Sequence, residues 1–136
     1  MIRIPDCIFC LIAAGKIPAK KVYEDTNVLA FLDINPLSEG HTLVIPKTHY
    51  ETISHMPEPE LGGIFGIVKK LATKLKDNLR ADGINIVQNN FKAAGQDIPH
   101  FHVHIIPRKT NDGILRIPLG KKAEGDTLDQ TLRKLA

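Results

Sequence analysis

Pro99-His100-Phe101-His102-Val103-His104-Ile105-Ile106-Pro107-Arg108 sets three histidines in alternation with apolar residues. Alternation of period two is a strand signal, because successive side chains of a strand point to opposite faces. The pattern predicts a strand over residues 100–107 with Phe101, Val103 and Ile105 toward a core. His100, His102 and His104 then share the other face. A proline at each end suits the limits of a strand. Three imidazoles on one face admit three readings: a set of metal ligands, a nucleophile supported by phosphate-binding neighbours, or histidines of purely structural use.

Working outward, Lys21 to Glu24, Val28 to Leu32, His41 to Pro46 and Gly83 to Gln88 read as four further strands. Asp25-Thr26-Asn27 is a turn between the first two, and residues 33–40 form a loop rich in turn formers. From Leu61, the apolar residues Ile64, Phe65, Val68, Leu71, Ala72, Leu75 and Leu79 recur at helical spacing, with Pro57, Glu58, Pro59 and Glu60 as a helix start. Asp6 to Gly15 reads as a short helix capped by Asp6 and ended by Gly15. The tail offers a strand at Ile114 to Leu119 and a short helix capped by Asp126, with Leu128, Leu132 and Leu135 on one stripe. The expected fold is α+β: a five-stranded, mostly antiparallel sheet with one long helix and short N- and C-terminal helices.

A chain of 136 residues, 43% hydrophobic and 24% charged, is expected to form one soluble domain across residues 1–136. No apolar run reaches spanning length and Met1 to Asp6 lacks a signal-peptide core, so no membrane association and a cytoplasmic location are expected. The net charge of +3 is too mild, and the basic residues too scattered, for nucleic acid as a partner. Arg108, Lys109, Arg116, Lys121 and Lys122 read as a solvated basic face. The only two cysteines, Cys7 and Cys10, are spaced to meet on one helical turn. They are half of a tetrahedral zinc site, a redox pair, or two buried thiols; His49, His55 and His100 are the candidates to complete a site.

The alternating His100-to-Ile106 block resembles the signature of the histidine-triad family of nucleotide hydrolases and transferases. The resemblance extends to Ile17-Pro18-Ala19-Lys20 with Tyr23-Glu24-Asp25, to Phe31-Leu32-Asp33-Ile34-Asn35-Pro36, to Gly40 through Lys47, and to Asn89 with Gly95-Gln96, in order over about residues 5–108. It implies that His102 is the nucleophile, attacking the α-phosphorus of a nucleotide to form a nucleotidyl-histidine. A backbone carbonyl near His100 would fix its tautomer. His104 and His41 would contact the phosphate, and Asn89 and Gln96 would donate where charge builds on phosphoryl oxygens. Asp33 would accept the ribose hydroxyls, against its plain reading as a turn residue. Phe9, Ile12, Ile34 and Leu43 would wall the base, although each also fits an ordinary core.

The resemblance further implies a structural, non-catalytic zinc on Cys7, Cys10, His49 and His100. This conflicts with strict alternation unless the strand starts or twists near Pro99, so that His100 turns aside. The implied substrates are purine nucleoside 5′-phosphoramidates or related AMP esters, in a homodimer. Hydrolysis of dinucleoside polyphosphates is the alternative; Asn89 favours the former, since the polyphosphate-cleaving branch places glutamine there. The chain lacks tryptophan and so departs from the tryptophan-containing C-terminal segment of the phosphoramidase branch. Readings from other classes are a nucleotide-binding module without turnover and a metal-dependent enzyme using His100, His102 and His104 as ligands.

Overall fold

The computed structural model of the chain describes residues 1–136. In chain order it forms α1 (Ile8–Ala13), β1 (Lys21–Glu24), β2 (Val28–Leu32), β3 (Thr42–Pro46), α2 (Glu58–Asn78), β4 (Gly83–Gln88), β5 (Val103–Arg108) and α3 (Thr127–Lys134). The strands make one sheet in the order β1-β2-β3-β5-β4. Every pairing is antiparallel, with Leu43 and Val87 opposite His104 on either side of β5. The expected α+β architecture is the one found. No helix is long and apolar enough to cross a membrane.

The sheet is covered on both faces. On one, Val28, Ala30, Val44, Val103, Ile105 and Phe101 pack with Ile64, Val68 and Leu71 of α2. That helix has 21 residues, about 31 Å at 1.5 Å per residue. Its first turn holds Glu58, Pro59 and Glu60 as the sequence suggests. On the other face, Leu29, Phe31, Leu43 and Ile45 pack with Phe9, Cys10, Ile12 and Ala13 of α1. The period-two pattern therefore divides two cores, and the histidine face of β5 is the α1 side.

Four expectations are corrected. The strand carrying the histidines begins at Val103, three residues later than its alternation suggests. Ahead of it, the His100 amide reaches back to the Ile98 carbonyl at 2.8 Å, a three-residue turn around Pro99. The Phe101 amide bonds Tyr50 O at 2.7 Å and not a strand neighbour. Helix α1 is capped by Cys7, whose Sγ accepts the Cys10 N–H at 3.4 Å, and not by Asp6. Gly15, at φ 76°, ends this segment in the left-handed region as expected.

Residues 114–119 form no strand. Ile117 and Leu119 face solvent, and Pro118 removes a ladder donor. Arg108, expected on a solvated face, instead pairs with Asp112 and donates to Asn85 Oδ1 at 2.6 Å and Leu115 O at 2.8 Å, fastening the start of the tail to β4. The leucine stripe of α3 exists, but it too is exposed, and Asp126 sits at its N-cap without a side-chain cap bond.

Gly40 turns the chain into β3 and so sets His41. At φ 86° it lies in the left-handed region, and an added Cβ would fall 2.3 Å from Leu79 Cδ1 at the end of α2. Gly40→Ala is expected to lower stability by about 1–3 kcal/mol through backbone strain and overpacking. Denaturant unfolding of the variant beside the parent measures this, and equal midpoints would contradict it.

Candidate active site

The turn before β5 gives each histidine a separate task. His102 Nδ1 lies 2.7 Å from His100 O in a buried contact. A carbonyl can only accept, so Nδ1 carries a proton, and in the neutral ring Nε2 keeps its lone pair. The Phe9 ring meets His102 edge-on at 5.1 Å between centroids, fixing the imidazole plane. His104, the first of the three within the ladder proper, stands 5.0 Å from His102, centroid to centroid.

A second set of bonds fixes the remaining tautomers. The Leu37 amide donates to His41 Nδ1 at 3.1 Å. His41 Nε2 therefore carries hydrogen and donates to His104 Nδ1, 2.9 Å away. That leaves His104 Nε2 as an N–H donor. Burial, and then the neighbouring His102 and His41, push the His104 pKa down to about 4. Burial also lowers that of His41, against the pull of Asp33. Both rings are neutral near pH 7 and can offer hydrogen bonds without charge. Asp33 sits just past β2, with Oδ2 3.7 Å from His41 Nε2. Its Oδ1 accepts the Asn35 amide at 2.9 Å, so the turn bond of the plain reading is present on one oxygen only.

Beside these residues runs a cleft of about 270 Å³. Its walls include Phe9, Ile12, Phe31 and Leu43, with Ile34 as an exposed rim, and Asp33, His102, His104, Asp97 and Ile98 also line it. All four residues suggested for a base slot line it. Phe31, Ile17, Pro18, Asp97 and Ile98 also line it and are not singled out by the sequence. For Phe31 a signal exists in its place beside Asp33, whereas the Asp97 carboxylate reaches the cleft only because its loop folds back.

Asn89 follows β4, with its amide nitrogen facing Gly95. Gln96 is not brought to the cleft. Its Oε1 accepts the Phe91 N–H at 2.8 Å and its Nε2 donates to Glu51 O at 2.6 Å, so the amide braces the loop from inside. His55 takes a helix-entry role, with Nδ1 2.8 Å from Thr52 Oγ1 at a short 3-10 turn.

His100 faces away from the cleft. Its Nε2 donates to Pro46 O at 2.8 Å, which leaves Nδ1 bare, 3.3 Å from Cys7 Sγ and 3.6 Å from Cys10 Sγ. His49 Nδ1 lies 3.3 Å from Cys10 Sγ. The four ligand atoms lie within 4.8 Å of one another. In a tetrahedral zinc site, sulfur and nitrogen ligands stand about 3.6 Å apart, given the usual bond lengths. Two thiols and two imidazoles at these separations fit zinc in donor type and spacing. His100, His102 and His104 do not converge as a ligand set: His100 belongs with the thiols, and His102 Nδ1 is taken by a carbonyl. Asp33, His41 and His104 do come together, but the two imidazoles bond each other directly at the atoms a shared ion would occupy. The metal-dependent reading of the three histidines is thereby corrected.

The neutral pair predicts a pH response. Folding holds His41 and His104 below the ordinary histidine value near 6.5, so between about pH 6.5 and 4 the unfolded chain binds more protons. Stability contributed by the pair is present above that window and is lost as pH falls through it. Thermal unfolding midpoints should drop between pH 7 and 4.5, and His104→Gln should show a smaller drop. Parallel curves for parent and variant would contradict the assignment.

The HIT domain family matches residues 14–111. A HIT-like protein of Methanocaldococcus jannaschii is 52% identical, over 95% of this chain and 98% of its own length. An adenylylsulfatase of Arabidopsis thaliana is 44% identical over 79% of this chain and 54% of its own. An adenosine 5′-monophosphoramidase of Candida albicans is 38% identical over 91% and 83%. Among solved structures, SMU.412c of Streptococcus mutans superposes with a TM-score of 0.91 at 42% identity, covering 98% of this chain and 85% of that one. A zinc-bound histidine triad family protein of Mycobacterium smegmatis does so with a TM-score of 0.77 at 41% identity, covering 83% and 84%. By sequence and by fold, the chain belongs to the HIT family.

Proposed function

We propose that the chain is a nucleotide hydrolase acting on purine nucleoside 5′-phosphoramidates or related AMP esters through a nucleotidyl-histidine at His102. The observation that carries this reading is the His102 tautomer. Its Nδ1–H is held by His100 O at 2.7 Å, so the Nε2 lone pair is the free one at the cleft. Relatives named as an adenosine 5′-monophosphoramidase and an adenylylsulfatase support hydrolysis at an adenylyl phosphorus.

In the first step, the Nε2 lone pair attacks phosphorus. A P–Nε2 bond forms and the bond to the leaving nitrogen breaks, the nitrogen taking up a proton from solvent. In the second step, a water oxygen bonds phosphorus, one of its protons passes to solvent and the P–Nε2 bond breaks, returning His102 and releasing the nucleotide. The sum is one water consumed, one amine and one AMP formed. His104 Nε2–H donates to a phosphoryl oxygen, with His41 behind it fixing the tautomer. Asn89 adds a neutral amide donor. Such preorganised donors commonly contribute about 2.7–4 kcal/mol each to the transition state. Asp33 accepts the ribose hydroxyls, while Phe9, Ile12, Ile34 and Leu43 hold the base. Gln96 serves by bracing the loop.

Adenosine 5′-phosphoramidate with purified protein tests this. Turnover should fall at least about a thousandfold in His102→Ala, as on removal of other catalytic nucleophiles. Tight AMP binding without turnover by the parent would instead favour a binding module.

Zinc on Cys7, Cys10, His49 and His100 would tie α1 to the turn before β5. When bound it supplies cross-linking and no reaction chemistry, and its thiolate ligands suit a reducing compartment such as the cytoplasm. Metal analysis should give one zinc per chain in the parent and less in Cys10→Ala. Chelation should lower the parent's unfolding midpoint but not that of Cys10→Ala. Metal-free parent protein of undiminished stability would remove the proposal.

The chain is further proposed to be one domain, 1–136, that forms a homodimer. β4 is an unpaired sheet edge carrying the exposed Ile86, and such edges favour strand addition. Light scattering at micromolar concentration should report twice the chain mass.

A further inference from the structure

One carboxylate stands beside the attacking nitrogen and has no part in the scheme above. Asp97 Oδ1 lies 3.4 Å from His102 Nε2. The same oxygen accepts the Ile98 N–H at 2.9 Å, which orients the group and leaves Oδ2 for a ligand. The side chain is 75% exposed, so its charge is available to a bound molecule. Asp97 also belongs to two concavities. It lines the cleft on the His102 side, and it lines an adjoining depression with Glu51, Phe91 and Lys92.

The loop that carries Asp97 is firmly built. Phe91 holds a φ of 70°, rare for a residue with a Cβ, and Gly95 one of 92°. The buried Gln96 amide ties the Phe91 N–H to the Glu51 carbonyl. These bonds fix Phe91 and Glu51 relative to each other around Gln96, the residue before Asp97. With the nucleoside between Asp33 and the apolar wall, the phosphate falls at His102 and His104. Asp97, shared by the cleft and the depression, is then the charge that a leaving group passing from one to the other would meet. The depression is lined by two carboxylate residues, Asp97 and Glu51, one lysine, Lys92, and the exposed Phe91. That combination favours a cation, by charge and by ring quadrupole, and disfavours an anion.

We infer that Asp97 is a specificity-determining residue that selects phosphoramidates whose leaving amine carries a positive charge, and that it disfavours sulfate or polyphosphate leaving groups. This rests on the hydrolase reading and narrows its substrate class. Exposed ion pairs are weak, so the selection should be modest, about two- to fivefold.

The test compares adenosine 5′-phosphate joined to 1,4-diaminobutane with its pentylamine counterpart, an equal-length pair differing in one ammonium. Adenosine 5′-phosphosulfate is the anionic arm. The wild-type kcat/KM should favour the cationic compound over the neutral one by about two- to fivefold, with the sulfate lowest, and added salt should compress the spread. In Asp97→Asn the cationic preference should fall to about one, and in Asp97→Lys it should invert. A wild-type ratio near one, or a preference retained in Asp97→Asn, overturns the inference. Dissociation constants measured on His102→Ala read the same preference without chemistry. A cationic preference there, with no turnover by the parent, would sustain the selectivity while removing the hydrolase reading. Equal affinities would remove the selectivity.

Discussion

His100 is the residue on which the rest depends. Three of its atoms are engaged in three directions: Nε2 toward the Pro46 carbonyl at the end of β3, Nδ1 toward two thiols at the start of α1, and its carbonyl toward His102 Nδ1. It is completely buried, so each bond matters more than it would in water. Burial, against the pull of the Pro46 carbonyl, lowers its pKa to about 4 and keeps it neutral, which its bare Nδ1 requires. Through one residue, a strand, a helix and the candidate nucleophile are set relative to one another.

The sheet turns that local arrangement into a site. Because α2 covers one face of the sheet and α1 the other, β5 places Val103 and Ile105 under α2 and turns the half-buried His104 toward α1. Polar imidazoles persist inside because nearly every ring nitrogen has a partner, and no buried side-chain nitrogen or oxygen is left unbonded. The partners are largely main-chain groups, at Leu37, Pro46 and His100, or another imidazole. Neutral donors arranged in this way need little reorganisation when charge develops on a phosphoryl group.

The parts written in hydrophobic period were the most legible. β1, β2, β4 and the long α2 follow from spacing alone, since a sheet face and a helix stripe are averages over many residues. Single-residue events were not legible that way. Alternation continues through His100 and His102, where no ladder exists, because a three-residue turn leaves no mark on polarity. Cys7 takes the cap that Asp6 seemed suited to, since a thiol's place depends on where the helix docks. Residues 114–119 are apolar enough to suggest a strand, yet no strand edge takes them up. In the site, the roles of the histidines and the wall residues Phe9, Ile12, Ile34 and Leu43 came from the family resemblance and not from spacing. Gln96 could not be separated from a cleft donor until Phe91 and Glu51 were seen around it, and Asp97 gains meaning only from a loop that folds back on His102.

The thiol cap of α1 ties two otherwise separate requirements to a single rotation angle. Cys7 closes the first turn of the helix with its own sulfur, and Phe9, one residue into that turn, presents its ring to His102 and to the cleft. An α-helix advances by about 100° per residue, given 3.6 residues per turn. One residue inserted between Cys7 and Phe9 would swing the ring, and the Cys10 sulfur with it, a quarter turn or more from their places relative to Cys7. The short interval from cysteine to phenylalanine is therefore constrained as tightly as the interval from cysteine to cysteine. The helix acts as a dial whose setting is read at the nucleophile.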